Sequence, residues 1–266
     1  MHESTCRLPY EIVEMITAHL IHDLHTLKAC SLTCRCWYSA AAALIHHTLT
    51  LTGSGRWRET NQLELLSKLH KLGLVPLVRE IRMRQFRGES PWLVPWVFDD
   101  LHLRYFSTFS NVHTLKLQEV DLNPFIPGIE RYFKHLSPAL RSITLLEPWS
   151  TPRRLSYFLS LFTNLDDIII RNTSEYVLPT TIPDTELVLF SKPKLQGRLL
   201  LDNFRWADTW THLITWCGGL RFHYMSLRRS GGSIPILLEA CSESLETLRI
   251  NTMDGKFCAG SPTDSN

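Results

Sequence analysis

The chain has 266 residues, 44% hydrophobic and 20% charged, with a formal net charge of +2. That length and apolar content exclude a disordered chain and allow one large core or two domains. The near-neutral balance gives no reason to expect nucleic acid or an anionic membrane surface as partner.

The first 45 residues read as three short helices. Pro9 suits a first helical turn, where its missing N–H is no loss. Ile12, Ile16 and Leu20 follow at helical spacing, with Val13 and Met15 widening the stripe. Leu24 and Leu27 open a second helix, and the stretch from Thr33 to Leu44 forms a third. Trp37 is expected at the packing centre of that third helix, because a tryptophan buries about 150–250 Å² wherever it sits. Three helices from so short a segment bury too little surface to stand alone. Their surplus apolar residues need a partner or the rest of the chain as cover.

The opening Leu8-Pro9-Tyr10-Glu11-Ile12 and the later Cys30-Ser31-Leu32-Thr33-Cys34-Arg35-Cys36-Trp37 resemble an F-box. F-boxes dock substrate receptors onto a Skp-family adaptor in cullin–RING ubiquitin ligases. The resemblance implies a three-helix module over residues 1–45 and an adaptor contact through Leu8, Pro9, Ile12, Ile16, Leu32 and Cys34. It also implies a cullin as indirect partner and an unidentified protein substrate. The departure from the pattern is the run Ala40-Ala41-Ala42-Ala43, where a basic residue is usual. It predicts a good helix with a bland outer face.

From residue 46 to 252 a unit recurs. Short strands with apolar residues two apart are expected at Thr48–Leu51, Glu80–Arg84, Thr114–Leu117, Ser142–Leu145, Asp167–Ile170, Arg198–Leu201, Arg221–Tyr224 and Thr247–Ile250. Helical stripes lie between several of them: Leu65, Leu66, Leu69 and Leu72; Ile129, Tyr132, Phe133 and Leu136; Leu155, Phe158, Leu159 and Phe162; Ile236, Leu237, Leu238 and Cys241. Strands alternating with helices predict a parallel sheet. The unit resembles the irregular leucine-rich-repeat-like domains that follow the F-box in fungal F-box proteins. The expected fold is therefore α+β overall: an all-α F-box, then an irregular α/β solenoid with a curved parallel sheet. Asn172 and Asn203 are the best candidates for the asparagine that closes a strand in such repeats. Residues 87–100, with Trp92 and Trp96, read as an irregular excursion, and 253–266 as a disordered tail. The last strand lacks an evident capping element, so its edge calls for cover.

No catalytic constellation stands out, and no enzyme, cofactor or metal is expected. Gly53-Ser54-Gly55 lacks the elbow pattern, and there is no phosphate loop, His-Glu-x-x-His helix or Cys-x-x-Cys pair. Cys30, Cys34 and Cys36 near five histidines read as packed thiols beside exposed imidazoles rather than as zinc ligands, with Cys30 and Cys34 one helical turn apart. Seven scattered cysteines and no signal pattern suit the cytoplasm or nucleus.

If the strand markers point inward, their neighbours line the opposite face: Arg82, Arg84, Lys116, Gln118, Thr144, Ile169, Arg171, Leu200, Asp202, His223, Arg249 and Asn251. Arg82, Arg84, Lys116 and Arg171 are the candidate substrate-binding residues, suited to an acidic or phosphorylated segment. The resemblance thus implies a substrate receptor, the alternative being a non-catalytic repeat scaffold outside ubiquitination.

Overall fold

The structure is a computed structural model and describes residues 8–53, 56–85, 104–122, 133, 135, 136, 138–172, 194–204, 206–217 and 219–251. The expected excursion with Trp92 and Trp96, the residues Ile129 and Tyr132, and the tail lie outside the described residues.

The N-terminal helices are α1 (Tyr10–His19), α2 (Leu24–Ser31) and α3 (Arg35–Ile45). Pro9 stands extended before α1, as its ring requires. Asp23 caps α2 by accepting from the Thr26 N–H at 3.0 Å and the Thr26 hydroxyl at 2.6 Å. These two bonds hold the Asp23 carboxyl below its usual pKa. The centre of the module is Val13, Thr17, Leu27, Ala40, Ala41 and Ala42. The hydroxyl of Thr17 stays satisfied there by donating to the Val13 carbonyl at 3.0 Å.

The alanine run also serves the inner side of α3, where Ala40, Ala41 and Ala42 are buried and let it pack against α1 and α2. Two expectations need correction here. Trp37 is half-buried, not the packing centre. Cys30 and Cys34 do not share a helical turn: Cys30 lies in α2, while Cys34 is extended and precedes α3.

Among the described residues after α3, eight strands form one sheet, parallel throughout, with strand order equal to chain order. Its strands are β1 (Thr48–Gly53), β2 (Glu80–Gln85), β3 (Thr114–Gln118), β4 (Ser142–Leu146), β5 (Asn164–Arg171), β6 (Lys194–Asp202), β7 (Arg221–Arg228) and β8 (Thr247–Asn251). Between them run α4 (Arg56–Lys71), α5 (Pro152–Ser160), α6 (Ala207–Cys217) and α7 (Ile234–Cys241). Every consecutive pair is parallel, so each connection must cross back to the strands' starting end.

Registration aligns the inward residues into rows. One row is Leu49, Ile81, Leu115, Ile143, Ile168, Leu199, Met225 and Leu248. A second runs from Leu51 through Leu145 and Ile170 to Ile250. Helical and loop side chains close over these rows, among them Leu66, Leu69, Phe158, Trp210 and Leu237. Phe133 links the aromatic layer, with ring centroids 6.2 Å from Phe106 and 5.5 Å from Phe158.

Two strands depart from the expected pattern. In β7 the inward residues after Phe222 are Met225 and Leu227, not Tyr224. Registers shift at Leu165/Asp167 and at Gly197/Arg198, and the residue gained opposite Gly197–Arg198 reverses the alternation in β7. In β8, Leu248 and Ile250 hold core-row positions yet are 38% and 45% exposed, while Met225 and Leu227 beside them are buried. The expected stripe of α4 is split: Leu66 and Leu69 are buried, while Leu65 and, just past the helix end, Leu72 are exposed.

Candidate functional site

Two surfaces carry the sequence-based candidates. The first is the outside of the N-terminal helices. Leu8, Pro9, Ile12 and Ile16 are exposed; Ile12 and Ile16 lie four residues apart on one side of α1, and Leu8 and Pro9 lead into it. Leu32, between α2 and α3, is 87% exposed. Cys34 is half-buried beside it in the chain. Met15 is 60% exposed, and Tyr10, Ile21, Leu24 and Tyr38 are exposed as well. These last five are not among the contact residues that the resemblance implies. Apolar spacing marks a helix face without saying whether the chain itself covers that face, and here the inner face is the neighbouring Val13–Thr17 line.

Such a concentration of exposed aliphatic and aromatic side chains is characteristic of an interaction surface. Burying a leucine as exposed as Leu32 yields about 1–2 kcal/mol. The Tyr10 hydroxyl is pushed above its usual pKa by burial and by its hydrogen bond to Glu14. It therefore stays a neutral donor and acceptor on this surface.

The module runs into the sheet with almost no linker. Only His46 and His47 separate α3 from β1, and the His47 carbonyl accepts from the N–H groups of Arg79 and Glu80 at 2.9 and 3.0 Å. Burial holds the His46 imidazole below its usual pKa.

The second surface is the outward face of the sheet. Its middle row is Thr50, Arg82, Lys116, Thr144, Ile169, Leu200, Ser226 and Arg249. Arg82, Arg84 and Arg171 are exposed and Lys116 is half-buried. Thr144 holds its expected place in this row and is buried there.

The basic candidates are not a bare stripe. Glu80 accepts from Arg82 and from Lys116, the latter at 3.0 Å. Arg84 pairs with Glu119 at 3.3 Å. Farther along, Arg198 pairs with Asp167 at 3.2 Å and Arg228 with Asp202 at 3.7 Å. Burial works to raise the Glu80 carboxyl, but its bonds to Arg82 and Lys116 bring it below the usual value. Among the described residues Arg171 and Arg249 make no ion pair, and the Arg249 guanidinium stands 5.6 Å over the Tyr224 ring. The acids Glu80 and Asp167 precede the apolar markers of their strands, so the residues that follow those markers do not reveal them.

Among the described residues, no three His, Cys, Asp or Glu side chains converge as metal ligands. No helix among them is long and apolar enough to cross a membrane. An open depression of about 580 Å³ lies where α7 meets the start of β7, beside Arg221, Glu239 and Glu243. The nearby Cys241 thiol is buried and its pKa raised by that burial, which makes it a poor nucleophile.

Residues 5–52 match the F-box-like family model. The match covers α1, α2 and α3 and extends into β1, past the boundary at residue 45 expected from the sequence. F-box domains generally bind Skp-family adaptors. No curated protein matches the chain.

Proposed function

We propose that this chain is a substrate-receptor subunit of an SCF-type cullin–RING ubiquitin ligase. It docks a Skp-family adaptor, and through it a cullin, by the N-terminal helices. It holds a protein substrate on the sheet, which behaves as an irregular leucine-rich-repeat-like solenoid, and performs no chemistry itself. Its effect is to raise the concentration of substrate near the ligase's charged conjugating enzyme.

The observation that carries this reading is the exposure of Leu8, Ile12, Ile16 and Leu32 within the segment that matches the F-box-like family. Four exposed aliphatic side chains gathered on one small helical module are what an interaction surface presents. Direct continuity of α3 with β1 supports it further, because a short junction fixes the bound adaptor relative to the sheet. Candidate substrate contacts are Arg82, Arg84, Lys116 and Arg171 on the outward strand face.

The test is co-purification of a Skp-family adaptor and cullin with the wild-type chain and with Ile12→Asp/Leu32→Asp. Both positions are exposed, so the double variant keeps its melting temperature while adaptor capture is lost. Undiminished capture by the folded variant would sink the assignment. Capture of adaptor without cullin would favour a scaffold role outside ubiquitination.

A further inference from the structure

We infer that the outward face of β3 to β8 binds an extended acidic peptide segment of the substrate, with an apolar side chain at its centre and carboxylates on both sides. The inference deepens the substrate-receptor reading and rests on it.

The composition of one row carries it. Across neighbouring strands the residues are Lys116, Thr144, Ile169, Leu200, Ser226 and Arg249. The middle is apolar: Ile169 and Leu200 are adjacent, and Leu146 lies diagonally beside Ile169 on the same face. All three are half-buried, so each keeps part of its side chain open to solvent.

Both ends are basic. At one end Arg82 and Lys116 share the single carboxylate of Glu80, which leaves an excess of positive charge. At the other, Arg249 has the Tyr224 ring beneath it and no ion pair among the described residues. Arg171 sits two residues beyond Ile169 on β5, on the same outward face, and makes no ion pair with the described residues. Between them the pairs Arg198–Asp167 and Arg228–Asp202 are already neutral.

Spacing sets the ligand's length. Lys116 to Arg249 crosses five strand intervals, about 24 Å at roughly 4.8 Å each. An extended chain covers that in about seven or eight residues. Charge disfavours two other occupants. A second copy of this face brings no spare carboxylates to Arg171 and Arg249, because its acids Glu80, Glu119, Asp167 and Asp202 are already paired. A nucleic-acid backbone would meet Glu80, Glu119, Asp167 and Asp202 interspersed among the bases, whereas isolated carboxylates can avoid them.

The experiment is fluorescence anisotropy with the full chain and a labelled nonapeptide carrying two glutamates at each end and Leu-Phe at its centre. Control peptides replace the centre with serines, or the glutamates with lysines. Protein variants are Arg171→Glu/Arg249→Glu and Ile169→Ser/Leu200→Ser, each checked by circular dichroism and thermal melting. The acidic–apolar peptide should bind the wild type saturably and more weakly as salt is raised. Arg171→Glu/Arg249→Glu should weaken binding at least tenfold, and both control peptides should lose as much. The two arginines are exposed, so this variant keeps the test decisive even if the serine variant misfolds. No binding by the wild type, equal binding by the arginine variant, equal binding of the lysine peptide, or binding that appears only when the serines are phosphorylated would each overturn the inference. Adaptor capture is measured on the same preparations. Retained capture with no peptide binding overturns this site alone, whereas lost capture by the wild type overturns the receptor reading.

Discussion

Asn172 and Asn203 hold the same left-handed backbone conformation, φ 54° and 52°, at the ends of neighbouring strands. The Asn172 N–H donates to the Asp202 carbonyl and the Asn203 N–H to the Arg228 carbonyl, both at 2.8 Å. Glu119, Glu147 and Arg229 occupy the equivalent positions after β3, β4 and β7, with φ of 56°, 51° and 51°. Each donates to the last residue of the following strand. One repeated turn thus ends five strands, and asparagine is the side chain best suited to it, since most others cost about 1–2 kcal/mol in this region. Replacing Asn203 with valine should lower stability by about 1–2 kcal/mol. Arg229→Asn should raise it by about 0.5–1 kcal/mol. Urea titrations of the two variants measure both, and a stabilising Asn203→Val would refute the shared-turn account.

Gly197 is the one residue of β6 that no side chain can replace. Its φ is 83°, and a Cβ there would collide with the Asp166 carbonyl oxygen on β5. The close approach is part of the register shift that re-aims β7. Gly197→Ala should cost about 3 kcal/mol or more, from unfavourable φ and backbone displacement together. Hydrogen exchange should show the loss centred on β5 to β7. A cost below about 1 kcal/mol would mean that the bulge relaxes freely.

That bulge also marks where sequence reasoning stopped. The strands were legible because apolar residues two apart stand out, and Ile81 with Met83 or Ile143 with Leu145 are inward as that pattern requires. An extra residue in β7 is invisible to a period of two, so Tyr224 took the place that belongs to Met225. The three N-terminal helices were legible from Pro9, the apolar spacing and the Leu32–Trp37 stretch. Their spacing alone does not say which face they bury, because Ile12 and Val13 are equally apolar neighbours; the resemblance set Ile12 outward, and the structure buries Val13 with Ala40 to Ala42. The basic candidates were legible individually, while Glu80 became visible as their shared partner only once β2 and β3 were paired.

Leu27 and Leu32 separate stability from docking within one helix pair. Leu27 is buried, and Leu27→Ala should cost about 2–4 kcal/mol. Leu32→Ala removes a side chain that is 87% exposed, so its stability change should stay within about 0.5 kcal/mol. Its adaptor affinity should nevertheless fall. Thermal melts with adaptor titrations on both variants test this. Equal destabilisation by the two would show that Leu32 is covered in the free chain.

A comparable contrast runs along the sheet. Leu201 and Ile250 occupy the same inward row, but Leu201 is buried and Ile250 is 45% exposed. Leu201→Ala should cost about 2–5 kcal/mol, and Ile250→Ala less than about 1.5 kcal/mol. Chemical denaturation supplies the comparison. A large cost at Ile250 would establish that its side chain is covered in solution.

The Glu80 ion pairs make part of the stability pH-dependent. The carboxyl titrates below its ordinary value of 4.5 in the folded chain, because Arg82 and Lys116 favour its charged form more than burial opposes it. A depressed folded pKa means that the unfolded chain takes up the proton more readily in acid. The contribution is therefore complete above 4.5 and disappears as pH falls through the lower folded value. Arg82 and Lys116 are partly exposed, so solvent screening limits the contribution to about 1 kcal/mol. Glu80→Gln should melt lower than wild type near pH ~7, with the difference shrinking to nothing near pH ~3. Melting curves across that range check the sign. A gap between the two proteins that stays constant, or widens toward acid, would assign the acid-sensitive stability to other carboxylates and leave Glu80 a purely steric role.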